Sequence, residues 1–270
     1  MQSPQNRSRI LMCLDNRVGF ECLQHVLSEP SMEVCGVVVH PRQTALYAEE
    51  VLGACRAAGV PTFEFQQAKA HFEELIAPLA PDYVACFYFD YVLDERFLSL
   101  PRVDTINVHP GYLPYNKGFF YYVWSVLDGT PAGVSVHRMN HLADAGDLYS
   151  QAKIEVTPED TGDTLYRKHE DAAIALFRAT LPSILAGTYR SHLQRHPGTR
   201  HKLKEMRDLL QLDPDERMRI RDLIDRLRVC TVPGRSGCTI DLADGTYQIE
   251  LQLKPVPKGF VPSPPGKSEA

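Results

Sequence analysis

Asn107 and His109 are the residues in this chain whose types and spacing most directly suggest chemistry. They stand two apart in the run Thr105-Ile106-Asn107-Val108-His109. On a strand, both side chains would project from the same face. Pro110 and Gly111 come next. Proline removes a ladder donor and glycine allows close backbone approach, so the strand should stop there. An amide and an imidazole side by side at a strand end suit hydrogen-bond donation to a developing oxyanion. The same pair could instead cap a turn, since most buried polar groups are structural.

The surrounding elements must deliver that strand. Arg9 to Leu14 and Glu33 to Val39 are short continuous apolar runs, which suit strands buried on both faces. Val60 to Phe65 reads as an edge strand and Asp82 to Phe87 as a further strand. Between them, Phe20 to Leu27, Ala45 to Ala58 and Ala68 to Ile76 read as helices, the second ended by Gly59. The alternation implies α/β architecture with a doubly wound, mostly parallel sheet. A Gly-x-Gly-x-x-Gly run after the first strand would signal a dinucleotide cofactor. Asp15-Asn16-Arg17-Val18-Gly19 stands there instead, so a nicotinamide cofactor is not expected. Asn16 and Arg17 could meet an anionic substrate at the carboxyl edge of the sheet, or form a solvated turn.

Past the central run, Glu95 to Leu100 reads as a short helix and Phe119 to Gly129 as a longer one. Tyr115, Tyr121, Tyr122 and Trp124 could stack on a substrate or simply pack. Lys117 could meet a phosphate group as a point charge, or be solvated. Pro131 to Met139 reads as a strand, and Asn140 to Gln151 continues it through a loop to another strand. Thr161 or Thr164 starts a helix to about Leu185, without a clear capping box. Residues 187–199 are polar and read as a linker and domain boundary. Lys202 to Leu212 and Pro214 to Arg228 read as helices, and Cys238 to Leu251 as a hairpin turning at Asp244-Gly245.

Two motifs carry a family resemblance. The first is Asn107, His109, Gly111, Leu113-Pro114 and Gly118; the second is Gly133, His137, Asp144-Ala145-Gly146-Asp147-Leu148 and Gln151. Together they resemble the signatures of the 10-formyltetrahydrofolate-dependent formyltransferase family, in the form closest to its nucleotide-sugar N-formyltransferases. The resemblance covers residues 8–185 and, more thinly, 214–253. It implies a Rossmann-like formyltransferase fold over residues 1–190, a small C-terminal α+β subdomain over 200–254 and a flexible tail over 255–270. It implies that Asn107, His109 and Asp144 are catalytic, with Asp147 the second acidic candidate. It also implies that Phe87 to Leu93 binds the pterin largely through backbone groups. Phe89, Tyr91, Val92 and Leu93 are then cofactor residues, joined by Met139 and Asn140. Their aromatic and apolar character alone would fit ordinary core equally well. Tyr115, Asn116, Lys117, Tyr121, Trp124 and Arg17 are the corresponding substrate candidates.

The implied co-substrate is 10-formyltetrahydrofolate, and the implied acceptor is a nucleotide-linked amino sugar such as a dTDP-4-amino-4,6-dideoxyhexose. Formylation of another small amine, formylation of methionyl-tRNA and a non-catalytic folate-binding role are the alternatives. The net charge is −5, which disfavours a nucleic-acid partner. His137 and His141 are not expected to hold a metal, because strand and loop do not align them and a third ligand is missing. The seven cysteines include no Cys-x-x-Cys pair and lie largely in apolar runs, as reduced thiols of a cytoplasmic protein would. The N-terminus lacks the apolar stretch of a signal peptide, and no run is long enough to span a bilayer. The family resemblance also implies a homodimer through the C-terminal region.

Overall fold

The computed structural model describes residues 7–232 and 237–260. Strand β1 (Ser8–Leu14) leads into helix α1 (Asn16–Ser28), β2 (Met32–Val39), α2 (Ala48–Ala58), β3 (Thr62–Glu64) and α3 (Phe65–Ala70). A π turn over Phe72–Ile76 precedes β4 (Tyr83–Phe87), α4 (Glu95–Ser99) and β5 (Asp104–His109). Then come β6 (Lys117–Gly118), α5 (Tyr121–Leu127), β7 (Gly133–His137), β8 (Leu148–Lys153) and α6 (Gly162–Leu185). The C-terminal part holds β9 (Arg200–His201), α7 (Leu203–Leu210), β10 (Gln211–Leu212), α8 (Ile220–Cys230), β11 (Cys238–Leu242) and β12 (Gly245–Ile249).

The main sheet runs β3-β2-β1-β4-β5-β7-β8. Its first five strands are parallel, and β7 and β8 join antiparallel. The apolar run of β1 explains its place in the middle. Ile10, Met12 and Leu14 pack on one side with α1 and α6; Leu11 and Cys13 pack on the other with α3 and Phe97. In β5, Ile106 and Val108 are fully buried on the α6 side. Each contributes roughly 2 kcal/mol. A slip of one residue would exchange them with Asn107 and His109, so the core itself fixes which face those two occupy.

Several boundaries differ from the sequence expectation, for identifiable reasons. The helix expected over 68–76 tightens to α3 and then widens into the π turn. Helix α7 stops before Gln211 because Gln211 and Leu212 pair with Thr239 and Ile240. Helix α8 begins at Ile220, after a turn in which Asp213 accepts from the Asp215 N–H. The start of α6 does carry a capping box: Thr164 Oγ1 accepts from the Thr161 N–H at 3.0 Å, and Thr161 Oγ1 accepts from the Thr164 N–H at 3.4 Å.

The C-terminal region docks on α5 and the start of α6. Val229, Cys230, Met206 and Cys238 share one buried cluster with Tyr122, Val123 and Leu165. The Arg228 guanidinium donates to the Thr157 and Asp160 carbonyls. The end of the expected flexible tail, residues 261–270, lies outside the described residues. Among the described residues no helix is long and apolar enough to cross a membrane. The seven cysteines are free and buried.

Candidate active site

Strands β1 and β4 meet where the strand order reverses, and the loops leaving β1, β4 and β5 surround a cavity of about 500 Å³. Ligands of open α/β sheets collect at this kind of switch point. Asn107 and His109 reach the cavity from the end of β5, and Asp144 reaches it from the loop between β7 and β8. His109 Nδ1 lies 3.3 Å from Asp144 Oδ1. Three residues separated by up to 37 positions are thereby gathered around one point.

His137 completes this group, although by sequence it reads as a structural histidine. It pairs directly across the sheet with Asn107. Its Nδ1 lies 2.7 Å from the Arg138 carbonyl, so Nδ1 carries the proton. Its Nε2 therefore accepts from Asn107 Nδ2 at 3.1 Å. This fixes which way the Asn107 amide points and leaves one amide N–H for a ligand.

Electrostatics set the protonation states. Burial pushes the His109 imidazole below its ordinary value; Asp144 pulls it back, and the cations Lys117 and Arg200 push it further down. Burial would raise the Asp144 carboxyl, but His109, His137, Arg200 and the Gly118 N–H outweigh that and hold it below the usual carboxylate range. Near neutral pH the pair is a neutral imidazole beside a carboxylate. Gly118 can reach Asp144 only because it has no side chain: a Cβ there would lie 2.5 Å from the His201 carbonyl oxygen, and its φ is +92°.

The cavity lining also has an aromatic and apolar part. Phe89, Tyr91, Val92 and Leu93 line it from the loop after β4, and Met139 and Asn140 line it from the end of β7. A buried relay holds this loop. The Asp90 N–H donates to His40 Nε2 at 3.1 Å, and His40 Nδ1 lies 3.3 Å from Asp15 Oδ2. The Phe89 and Tyr91 rings flank the His40 imidazole at centroid distances of 4.9 and 5.0 Å. Leu46, Val92, Phe119 and Leu142 are exposed and border the same cavity.

The structure distributes the substrate candidates differently from the catalytic ones. Tyr121 lines the cavity together with Tyr88, Tyr122, Tyr166 and Asn16. Arg17 turns away and pairs with Glu170 at 3.1 Å and Asp171 at 2.6 Å on α6. Asn116 is buried and occupied by Thr130 and Thr199. Tyr115 faces His196, and Trp124 stacks on His201 at 4.1 Å. Lys117 is buried with Nζ 3.5 Å from the Pro197 carbonyl. Its strand neighbour Arg200 is the cation that borders the cavity. Arg200 lies beyond a stretch read as a linker, and no local pattern marks it. Among the described residues, no group of three or more His, Cys, Asp or Glu side chains could hold a metal ion.

The buried histidines make stability depend on pH. Burial pushes both His137 and His169 down to about 4. His169 packs on Tyr121, with Nδ1 2.7 Å from the Leu165 carbonyl. An unfolded histidine titrates near 6.5. A depressed folded pKa gives stability that is complete above about 6.5 and is lost as pH falls toward about 4. Between about pH 7 and pH 5, His169 alone should remove about 2 kcal/mol from the unfolding free energy. Urea titrations at the two pH values should show a shallower pH slope in His169→Gln. Equal slopes in variant and wild type would contradict this assignment.

Comparison with known proteins follows the same lines. A family model described as formyl transferase matches residues 25–181, more than half of the chain. A second, described as N-formyltransferase dimerization C-terminal domain, matches residues 205–255. The fold resembles that of a 4-N formyltransferase from Francisella tularensis: TM-score 0.81, 21% identity, covering 93% of this chain and 100% of that one. It also resembles a likely sugar N-formyltransferase from Mycobacterium tuberculosis, with TM-score 0.76, 22% identity and coverage of 93% and 99%. An N-formyltransferase from Helicobacter canadensis, in complex with folinic acid and dTDP-3-aminofucose, aligns with TM-score 0.62, 16% identity and coverage of 82% and 80%.

Proposed function

This chain belongs to the formyl transferase family, and from that premise we propose that it moves a formyl group from 10-formyltetrahydrofolate to the amine of a nucleotide-linked amino sugar. The observation that carries the reading is one cavity lined both by Asn107, His109 and Asp144 and by the aromatic and apolar side chains of Phe89, Tyr91, Val92 and Leu93. The likeness to the Helicobacter canadensis enzyme, bound to folinic acid and an aminofucose nucleotide, supports the choice of donor and acceptor.

The residues divide the work as follows. A neutral amine attacks the formyl carbon, and the formyl oxygen becomes an oxyanion. The free Asn107 amide N–H donates to that oxygen, and His109, whose single ring N–H at Nδ1 faces Asp144, adds a second donor at Nε2 only once it is protonated. Asp144, ionised and beside His109, takes the proton from the attacking amine. The tetrahedral intermediate collapses, the bond to folate N10 breaks, and the proton passes to that nitrogen. His137 holds the Asn107 amide in its donating orientation throughout. Phe89, Tyr91, Val92, Leu93, Met139 and Asn140 form the folate wall in this reading, and Tyr121 faces the acceptor. Arg200, at the cavity edge beside Lys117, supplies positive charge for a diphosphate. Confining both reactants in one cavity lowers the entropic part of the barrier.

The proposed domain division is a catalytic unit over 1–190 and a smaller unit over 200–254. The proposed assembly is a homodimer through the smaller unit. Leu203, Ile220, Leu242 and Tyr247 are large apolar side chains exposed there, as an interface would require. A cytoplasmic location fits the free thiols at all seven cysteines.

The test incubates purified protein with 10-formyltetrahydrofolate and a panel of nucleotide amino sugars, read by mass spectrometry. One added formyl group on one sugar is the expected product. Formylation of a different small amine, or of methionyl-tRNA, with no sugar product would overturn the acceptor assignment. The Arg200 side chain supplies a narrower check. In Arg200→Ala, equilibrium binding of dTDP should weaken by about tenfold, the worth of one charge-assisted contact. Unchanged affinity would remove Arg200 from the phosphate site.

A further inference from the structure

The segment from Gly187 to His201, between α6 and α7, runs back over the catalytic loop. Gln194 Nε2 donates to the Asp144 carbonyl at 3.0 Å and to the Gly146 carbonyl at 2.7 Å. Arg200 Nη2 donates to the Ala143 carbonyl at 2.8 Å. His192 exchanges two backbone hydrogen bonds with Leu148, at 2.8 and 2.9 Å, where the loop enters β8. One segment thus caps three carbonyls of a four-residue stretch.

That stretch needs an external hold. Asp144 has a φ of +57°, the left-handed region that costs energy for a residue with a Cβ. On the loop's other side the Arg138 carbonyl presses against Gly146, where a Cβ would come within 1.8 Å of that oxygen. The loop is therefore clamped between the end of β7 and Gln194. The backbone angle of Asp144 decides where its carboxylate points, and it points at His109.

We infer that Gln194 is a positioning residue for formyl transfer: by donating to the Asp144 and Gly146 carbonyls it holds the Asp144 carboxylate against His109. The chemistry rests on the function proposed above, but the positioning can be read without it. Two substitutions separate the possibilities. Q194A removes the donor. Q194E keeps the shape but faces two carbonyl oxygens with a carboxylate, which repels them. Once protonated, that new carboxyl regains one donor.

The expected result has a pH signature. At about pH 8, kcat in Q194E should be about 20-fold below wild type, within the range for misplacing a proton acceptor. The deficit should shrink on acidification toward about pH 5.5, as the new carboxyl takes up a proton. In Q194A the deficit should show no such recovery. The KM for the folate donor should stay within about twofold in both variants. A Q194E enzyme as active as wild type at the higher pH would overturn the inference. So would losses of melting temperature and folate affinity in step with kcat, because a purely structural role would produce them.

The second arm needs no acceptor. Asp144, His137, Lys117, Arg200 and His169 are the titratable groups that act on His109. Among them only Asp144 carries negative charge. NMR titration of His109 in Q194A should move its midpoint down, toward the value in D144N. An unmoved midpoint would overturn the inference. If the wild-type protein formylates no amine, the functional reading fails while this titration still judges Gln194.

Discussion

Asp144→Asn should lower kcat for formyl transfer by about 10³-fold while leaving folate affinity within about threefold of wild type. The substitution keeps the shape and the backbone, and it removes the one anionic proton acceptor beside His109. Asp144 Oδ1 lies 3.3 Å from His109 Nδ1 and 3.9 Å from His137 Nε2. Without its charge the attacking amine would have to shed its proton to a neutral imidazole that burial already makes a weak base. The proposed folate wall contains none of these atoms, so donor binding should survive. Single-turnover kinetics and equilibrium folate titration on the same preparation check both halves. Retained turnover would defeat the role of Asp144; lost folate affinity would show that the substitution disturbs the loop rather than the chemistry.

Asp104→Ala should destabilise the protein by about 3 kcal/mol, measured as the change in urea-unfolding free energy. Asp104 is buried at the start of β5, and five donors from four residues converge on its carboxylate. Arg138 reaches Oδ2 through Nε at 3.1 Å and Nη2 at 2.6 Å. Tyr149 and Tyr189 direct their hydroxyls at the same oxygen, and the Thr105 N–H donates to Oδ1. Alanine would leave these donors unsatisfied together. Because the Arg138 side chain is 43% exposed, it can turn to water, which keeps the cost at the lower end for a broken buried pair. The site should feel the change as well. Arg138 follows His137, and its carbonyl both accepts from His137 and presses on Gly146. Asp104→Asn, which keeps an acceptor oxygen, should recover part of the stability. A loss below about 1 kcal/mol in Asp104→Ala would show that water replaces the carboxylate.

Much of the fold was legible because it is written in local periodicity. The buried strands announce themselves as apolar runs, since both faces of β1, β2 and β4 pack against other elements. The short reach between Asn107 and His109 is also local: two residues apart on a strand means one face. The antiparallel end of the sheet was less visible, because β7 and β8 carry the same kinds of residue in either direction. The end of α7 depended on partners more than twenty residues away.

The site divides along the same line. Sequence alone determined which residues can supply an amide, an imidazole and a carboxylate, and that Asn107 and His109 share a strand face. Only the tertiary structure decided which neighbours complete them. It turned Arg17 onto Glu170 and Asp171, buried Lys117, and brought Arg200 to the cavity from beyond a stretch that looks like a linker. It coupled His40 to Asp15 and Asp90, and Gln194 to the Asp144 loop. A side chain that acts across 50 residues of chain leaves no period in the sequence. Its partner is chosen by how sheet and loops pack, where hydrogen-bond satisfaction and burial are settled together.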